Sequence, residues 1–205
     1  MDEARHPHPG RPTHSQSEEL TQHVLATAWA LLVEQGPDSF SIDRLPPVAK
    51  VSKSTIYSRW PGGKRELLEA VLADRHDQLL PAFSVIGVQD EAEAAFADLA
   101  MRTLNIIIMP EGRALDRLID WLDATGTVGG PAPVRTRIVT ASVQLIEVQM
   151  IAAAERWHLP LGEPTLFARF WLEAIIGHAR TSPDPAADHC RWAGDLARSL
   201  LRALR

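Results

Sequence analysis

Nine consecutive residues, Ser52-Lys53-Ser54-Thr55-Ile56-Tyr57-Ser58-Arg59-Trp60, concentrate hydroxyls, an ammonium, a guanidinium and the one tyrosine of the chain. These groups donate hydrogen bonds to phosphate oxygens and nucleobase edges, and none is paired with a general base. Their spacing fits a short helix. Ser52 at its head can accept the free amides of residues 54 and 55. Ile56 and Trp60, four apart, fall on one inward face, which leaves Lys53, Ser54, Thr55, Tyr57 and Ser58 on the outward side near the helix start.

Charge is distributed to match. From Arg44 to Arg65 the basic residues are Arg44, Lys50, Lys53, Arg59, Lys64 and Arg65, with no acid between them, while the chain as a whole carries a formal charge of −5. All three lysines lie in this window. A basic island on an acidic body is the footprint of a local polyanion site, whereas a charge run alone is more often a solvated face. The single cysteine, Cys190, excludes an internal disulfide and a multi-cysteine metal site. The first residues hold no apolar stretch of the kind a secretory leader needs, and uninterrupted apolar runs are short, such as Ile106-Ile107-Ile108-Met109. A cytoplasmic protein with no membrane span is the expectation.

The elements that would position the short helix are themselves helical. Residues 1–14 read as a flexible arm rich in proline and histidine. Ser15-Gln16-Ser17-Glu18 resembles a capping box, followed by Leu20, Val24, Ala28, Leu31 and Leu32 at helical spacing up to Gly36-Pro37. Further helices are predicted over residues 66–80 (stopped by Pro81), 90–108, 110 to about 126 (with Pro110 in its first turn), 134–157, 166–179 and 190–204. No segment alternates as a strand would. The expected fold is all-α, with about nine helices: a helix-turn-helix unit over residues 15–62 and a larger helical unit over 63–205.

The chain resembles the TetR family of transcriptional regulators. Val24-Leu25, Ala28, Leu31-Leu32 and Glu34-Gln35-Gly36 match the first helix of that family, and Ser41-Ile42 and Leu45 match the start of its second. Ala49, Val51-Ser52-Lys53, Thr55-Ile56-Tyr57 and Trp60 match the turn and recognition helix, and Lys64, Glu66 and Leu67-Leu68 match the opening of the fourth helix. The resemblance covers residues 20–72; beyond residue 80 it is one of architecture. It implies a DNA-binding regulator, most often a repressor, that binds a palindromic double-stranded operator as a homodimer and is released by a small-molecule effector, with no cofactor, metal or catalytic residue. It implies phosphate contacts from Ser41, Tyr57 and Lys64, and an approach of Lys53, Ser54, Thr55 and Ser58 to the major groove. Arg59 is left between the DNA backbone and an internal pair. Arg11 in the arm is a weaker candidate for a flanking minor groove. Arg117 and Trp121 are the expected effector-pocket residues, by analogy of helix position.

Three departures from the family pattern bear on this. Pro46-Pro47 stand where the family has small helical residues, and a proline inside a helix costs about 3 kcal/mol. The expectation is a broken second helix, irregular over 41–45, with a helical turn only from Pro47, and a recognition helix anchored through Leu45, Val48 and Val51. Lys50 replaces the usual turn glycine; it either keeps a left-handed conformation, at a cost of roughly 1–2 kcal/mol, or changes the angle between the helices. Pro61-Gly62-Gly63 is one residue longer than the usual linker. These departures support an alternative reading: a dimeric small-molecule binder of the same fold that has lost sequence-specific DNA binding.

Other constellations are read as structural. Glu155 to His158 has Glu-x-x-His spacing, but a di-iron site needs a second such motif and two further glutamates, and the other copy, Glu3 to His6, lies in the arm. His178, His189 and Cys190 lack a partner set for catalysis or metal binding. Phe167, Phe170, Trp171 and Ile175, and Trp192, Leu196, Leu200 and Leu204, form two apolar stripes suited to a four-helix dimer interface.

Overall fold

The computed structural model describes residues 14–83, 89–126, 132–182 and 188–204; residues 1–13 of the expected arm, with Arg11, lie outside the described residues, and His14 already belongs to a helix. Those residues form nine α-helices and one 3-10 turn, with no strand among them.

The first helix, α1 (His14–Ser39), is interrupted at Gly36, whose φ of 75° and ψ of 167° turn the chain before Pro37. The expected capping box is not used. Ser15 lies inside the helix and donates to Glu19, while Glu18 faces His14. A 3-10 turn (Ile42–Arg44) leads directly into α2 (Leu45–Ala49). This corrects the expected irregular lead-in. Leu45 is helical (φ −71°, ψ −43°) although a proline follows it. Pro46 and Pro47 fall in the first turn of α2, where amides have no intrahelical acceptor to lose. The second helix is therefore short but not broken. Lys50 keeps the left-handed conformation (φ 54°, ψ 40°), and the Val51 amide closes the turn on the Pro46 carbonyl at 3.0 Å.

The short helix α3 (Lys53–Arg59) packs Ile56 and the following Trp60 inward. Ile42, Leu45 and Ala49 are buried in the same core as Ile56 and Trp60, and Val51 packs half-buried against it; Val48, an expected anchor, is 52% exposed. The helix α4 (Gly63–Phe83) runs through Pro81 instead of stopping before it. The core around α1–α4 continues into Leu118, Ile119 and Leu122 of α6 (Pro110–Ala124) and Val134 at the head of α7 (Val134–Trp157).

A second core joins α5 (Ala92–Ile108), α7, α8 (Pro164–Thr181) and α9 (His189–Ala203). Here α5 packs on α9 and α7 on α8. His158 ends α7 in the left-handed conformation (φ 52°). The expected α8 stripe divides: Trp171 and Ile175 are buried inside the chain, with Trp171 edge-on to Phe96 at 5.6 Å, and Phe170 points outward, 61% exposed. Contrary to the expectation from short apolar runs, α7 is long and apolar enough, by length and composition, to cross a membrane. Val143, Ile146, Met150 and Ala153 of this helix are buried in the second core, while Val148 and Ile151 are exposed.

Candidate functional site

The head of α3 is organised by one serine. Ser52 Oγ accepts the Thr55 amide at 3.1 Å and lies 2.7 Å from both Ser54 Oγ and Thr55 Oγ1. The cap thus draws two of the expected DNA-contacting hydroxyls into a single cluster at the helix start. Ser58 Oγ donates back to the Thr55 carbonyl. Lys53, Ser54, Tyr57 and Ser58 are exposed, and Thr55 is half-buried. Ser41 precedes the 3-10 turn in an extended conformation (φ −119°), and its hydroxyl makes no cap bond.

Contacts with α1 fasten both α3 and α2. Arg59 donates from Nε to Thr21 Oγ1 (3.2 Å) and from a terminal nitrogen to Ser17 Oγ (3.1 Å), an internal pairing that fixes α3 against α1. His23 Nε2 lies 3.0 Å from the Ala49 carbonyl at the end of α2.

Asp43 was not singled out by sequence reasoning. It lies one residue outside the acid-free window, and its Oδ1 is 2.6 Å from Lys53 Nζ and 3.5 Å from the Tyr57 hydroxyl, which donates to it. The hydrogen bond and charge of Lys53 hold the Asp43 carboxyl below its ordinary pKa, and the reciprocal bond raises that of Lys53. Both are therefore charged at neutral pH, and the pair neutralises the lysine at the head of α3. Nothing local in the sequence links residues 43, 53 and 57; the angle between the 3-10 turn and α3 brings them together.

Lys64 is engaged elsewhere. Its ammonium sits 4.7 Å from the centre of the Trp121 ring and 3.5 Å from the Asp38 carbonyl. Burial pushes its pKa down, opposed by the charge of Asp38. Next to it, Arg65 donates to the Leu122 carbonyl and to Thr125 Oγ1, both at 3.0 Å. The start of α4 is thereby fastened to the end of α6.

A cavity of about 380 Å³ lies among α4–α8. Its walls include Leu79, Ile106, Leu115, Ile138, Leu172 and Ile176, and its polar lining includes His76, Thr103, Arg113, Asp116, Arg117, Arg135 and Arg180. Arg117 is part of this lining; Trp121 is not, and packs under Lys64 instead. Asp116 is held by Arg135 (2.8 Å) and Arg180 (3.7 Å), and Arg135 also reaches Asp120 (2.7 Å). Burial works against the charge of Arg135, yet its bonds to Asp120 and Asp116 leave its pKa above the ordinary value. Asp123 completes the α6–α7 junction by accepting the Val134 and Arg135 amides. Gly112 also lines the cavity, and a Cβ there would run into the Ile106 carbonyl oxygen. The charges of Arg113, Asp116, Arg117 and Asp120 recur at helical spacing along α6, a signal that sequence reading could have extended beyond Arg117.

Residues 24–71 match the family described as bacterial regulatory proteins, tetR family. Over these residues the chain is similar to that family. The family comprises transcription regulators, not enzymes. Among its relatives, the HTH-type transcriptional regulator YdeS of Bacillus subtilis is 33% identical over 81 residues, spanning 40% of this chain and 39% of its own length. The DNA-binding transcriptional repressor TetR of Mycobacteroides abscessus is 46% identical over 54 residues, 26% of this chain and 27% of the relative. The fold extends further. A TetR-family regulator from Pectobacterium atrosepticum superposes with a TM-score of 0.68 at 21% identity, covering 94% of this chain and 97% of the other.

Proposed function

We propose that this protein is a TetR-family repressor that binds a palindromic operator as a homodimer and is released by a small-molecule effector. One observation carries the reading: the Ser52-capped helix buries Ile56 and Trp60 and leaves Lys53, Ser54, Tyr57 and Ser58 outward. On this reading the amino-terminal half of α3 enters the major groove, with Thr55 at its edge, and Ser41, Tyr57 and Lys64 bind phosphates. Two copies must then hold their reading helices about 34–36 Å apart, or a multiple of that. Exposed Leu166 and Phe170 on α8 are available to a dimer partner. The cavity with Arg117 is the effector site, and its mostly apolar walls with a few polar groups support that assignment. An effector that prefers a different helix spacing lowers operator affinity by its differential affinity for the two states. The site of action is the cytoplasm.

The second reading, a dimeric ligand binder without operator recognition, draws on the engagement of Lys53 by Asp43 and of Lys64 by Trp121. Mobility-shift titration against the DNA upstream of its own gene separates the two. A repressor gives a specific complex that weakens with salt and on replacing Tyr57 or Lys64. Equal affinity for random duplex at moderate salt would leave the second reading standing.

A further inference from the structure

The cavity has an electrostatic sign. Arg113, Arg117, Arg135 and Arg180 line it against one carboxylate, Asp116, which Arg135 and Arg180 already hold. Arg113 spends its Nε on the Ile108 carbonyl at 2.9 Å. Arg117, in contrast, makes no hydrogen bond or ion pair among the described residues; it is exposed to solvent on one side and borders the same apolar walls on the other. On the α4 side, His76 Nε2 is buried with no hydrogen-bond partner. Apolar walls screen charge less than water does, so a surplus cation beside them attracts anions and repels cations. A neutral ligand has no use for that surplus.

We infer that the effector is an amphipathic organic anion: an apolar body ending in a carboxylate or sulfonate, with Arg117 as its counter-ion. His76 Nε2 supplies a second polar contact for the same ligand. The inference rests on the reading of this cavity as the effector site. A planar guanidinium matches the two oxygens of a carboxylate in a bidentate pair, and a hydrogen bond of this type is about twice as strong as a neutral one. The apolar walls take the hydrocarbon part.

The test uses the full chain at pH 8 and two matched probe pairs, decanoate with 1-decanol and 1-naphthoate with 1-naphthol. Binding is read by calorimetric titration and thermal shift. At least one acid is expected to bind roughly tenfold or more tightly than its alcohol. Arg117→Gln should abolish that difference, and Arg117→Lys should restore part of it. If neither acid outbinds its alcohol, or Arg117→Gln keeps the full preference, the inference falls. A parallel mobility shift keeps the two claims apart. Acid-selective binding without a specific operator complex supports the anion and sinks the repressor; a specific operator complex with no acid preference does the reverse.

Discussion

Asp43 neutralises Lys53, so replacing it should change how operator affinity depends on salt. In Asp43→Asn the 2.6 Å ion pair is gone and Lys53 presents a full positive charge at the head of α3. Both groups are fully exposed, so salt screens the pair readily and its loss should barely alter folding. DNA feels the change more strongly. Each added cation that meets a phosphate steepens the plot of log affinity against log salt by about 0.9. Between 50 and 200 mM salt that slope amounts to roughly a three- to fourfold change per protomer. The variant should therefore bind more tightly than the parent at low salt, with an advantage that shrinks by this factor as salt rises. Random duplex should gain as much as operator, because the phosphate attraction ignores sequence. Fluorescence anisotropy with both labelled duplexes across a salt series reads all of this. Lys53→Gln supplies the cross-check: in Asp43→Asn it should return the slope to that of the parent, whereas in the parent it leaves the Asp43 carboxylate unpaired and should weaken binding to any duplex. An unchanged slope in Asp43→Asn would refute the argument, and so would weaker operator binding at every salt, which would make Asp43 a positioning residue for α3.

Lys50→Gly relieves a left-handed side chain costing about 1–2 kcal/mol, offset by about 0.5–1 kcal/mol of glycine entropy in the unfolded chain. Its thermal midpoint should exceed that of Lys50→Ala, which loses the same charge, by roughly 1–4 °C; a midpoint at or below the alanine variant contradicts this. Gly112→Ala drives a Cβ into the Ile106 carbonyl where α5 meets α6, so a loss of about 3 kcal/mol or more is expected. Thermal melting should register this as a fall of at least about 6 °C, and a melt within a degree of the parent would show that the junction yields freely. Burial and, secondarily, the charge of His189 push the His178 pKa below 6.5; its ring stacks on Trp192 at 3.9 Å and lies 3.1 Å from His189. A depressed folded-state value means that the unfolded chain binds the proton more readily. The contribution of His178 to stability is thus complete above the ordinary histidine pKa and declines as pH falls through the folded-state value. Urea midpoints at pH 7.5 and 5.5 should differ less in His178→Gln than in the parent, and an equal difference would remove His178 from the account.

The local patterns along this chain determined a good deal by themselves. Helical spacing marked α7 from Val134 to Trp157 and the start of α6 at Pro110, because an apolar stripe and a missing amide are properties of one segment. The cap of α3 and its inward Ile56 and Trp60 were legible for the same reason. Local rules misjudged Pro46-Pro47, since the cost of a proline depends on which turn it occupies, and the preceding 3-10 turn moved both residues into the first turn of α2. What each exposed charge faces was decided only by the tertiary structure. Asp43 meets Lys53 across the corner between two short helices, Lys64 rests on Trp121 from a helix more than fifty residues away in sequence, and Arg117 meets the apolar walls of α4–α8 without a partner of its own. Side-chain types and their periodicity are written along the chain, but Coulomb and cation–π energies depend on distances through space that no one-dimensional pattern encodes.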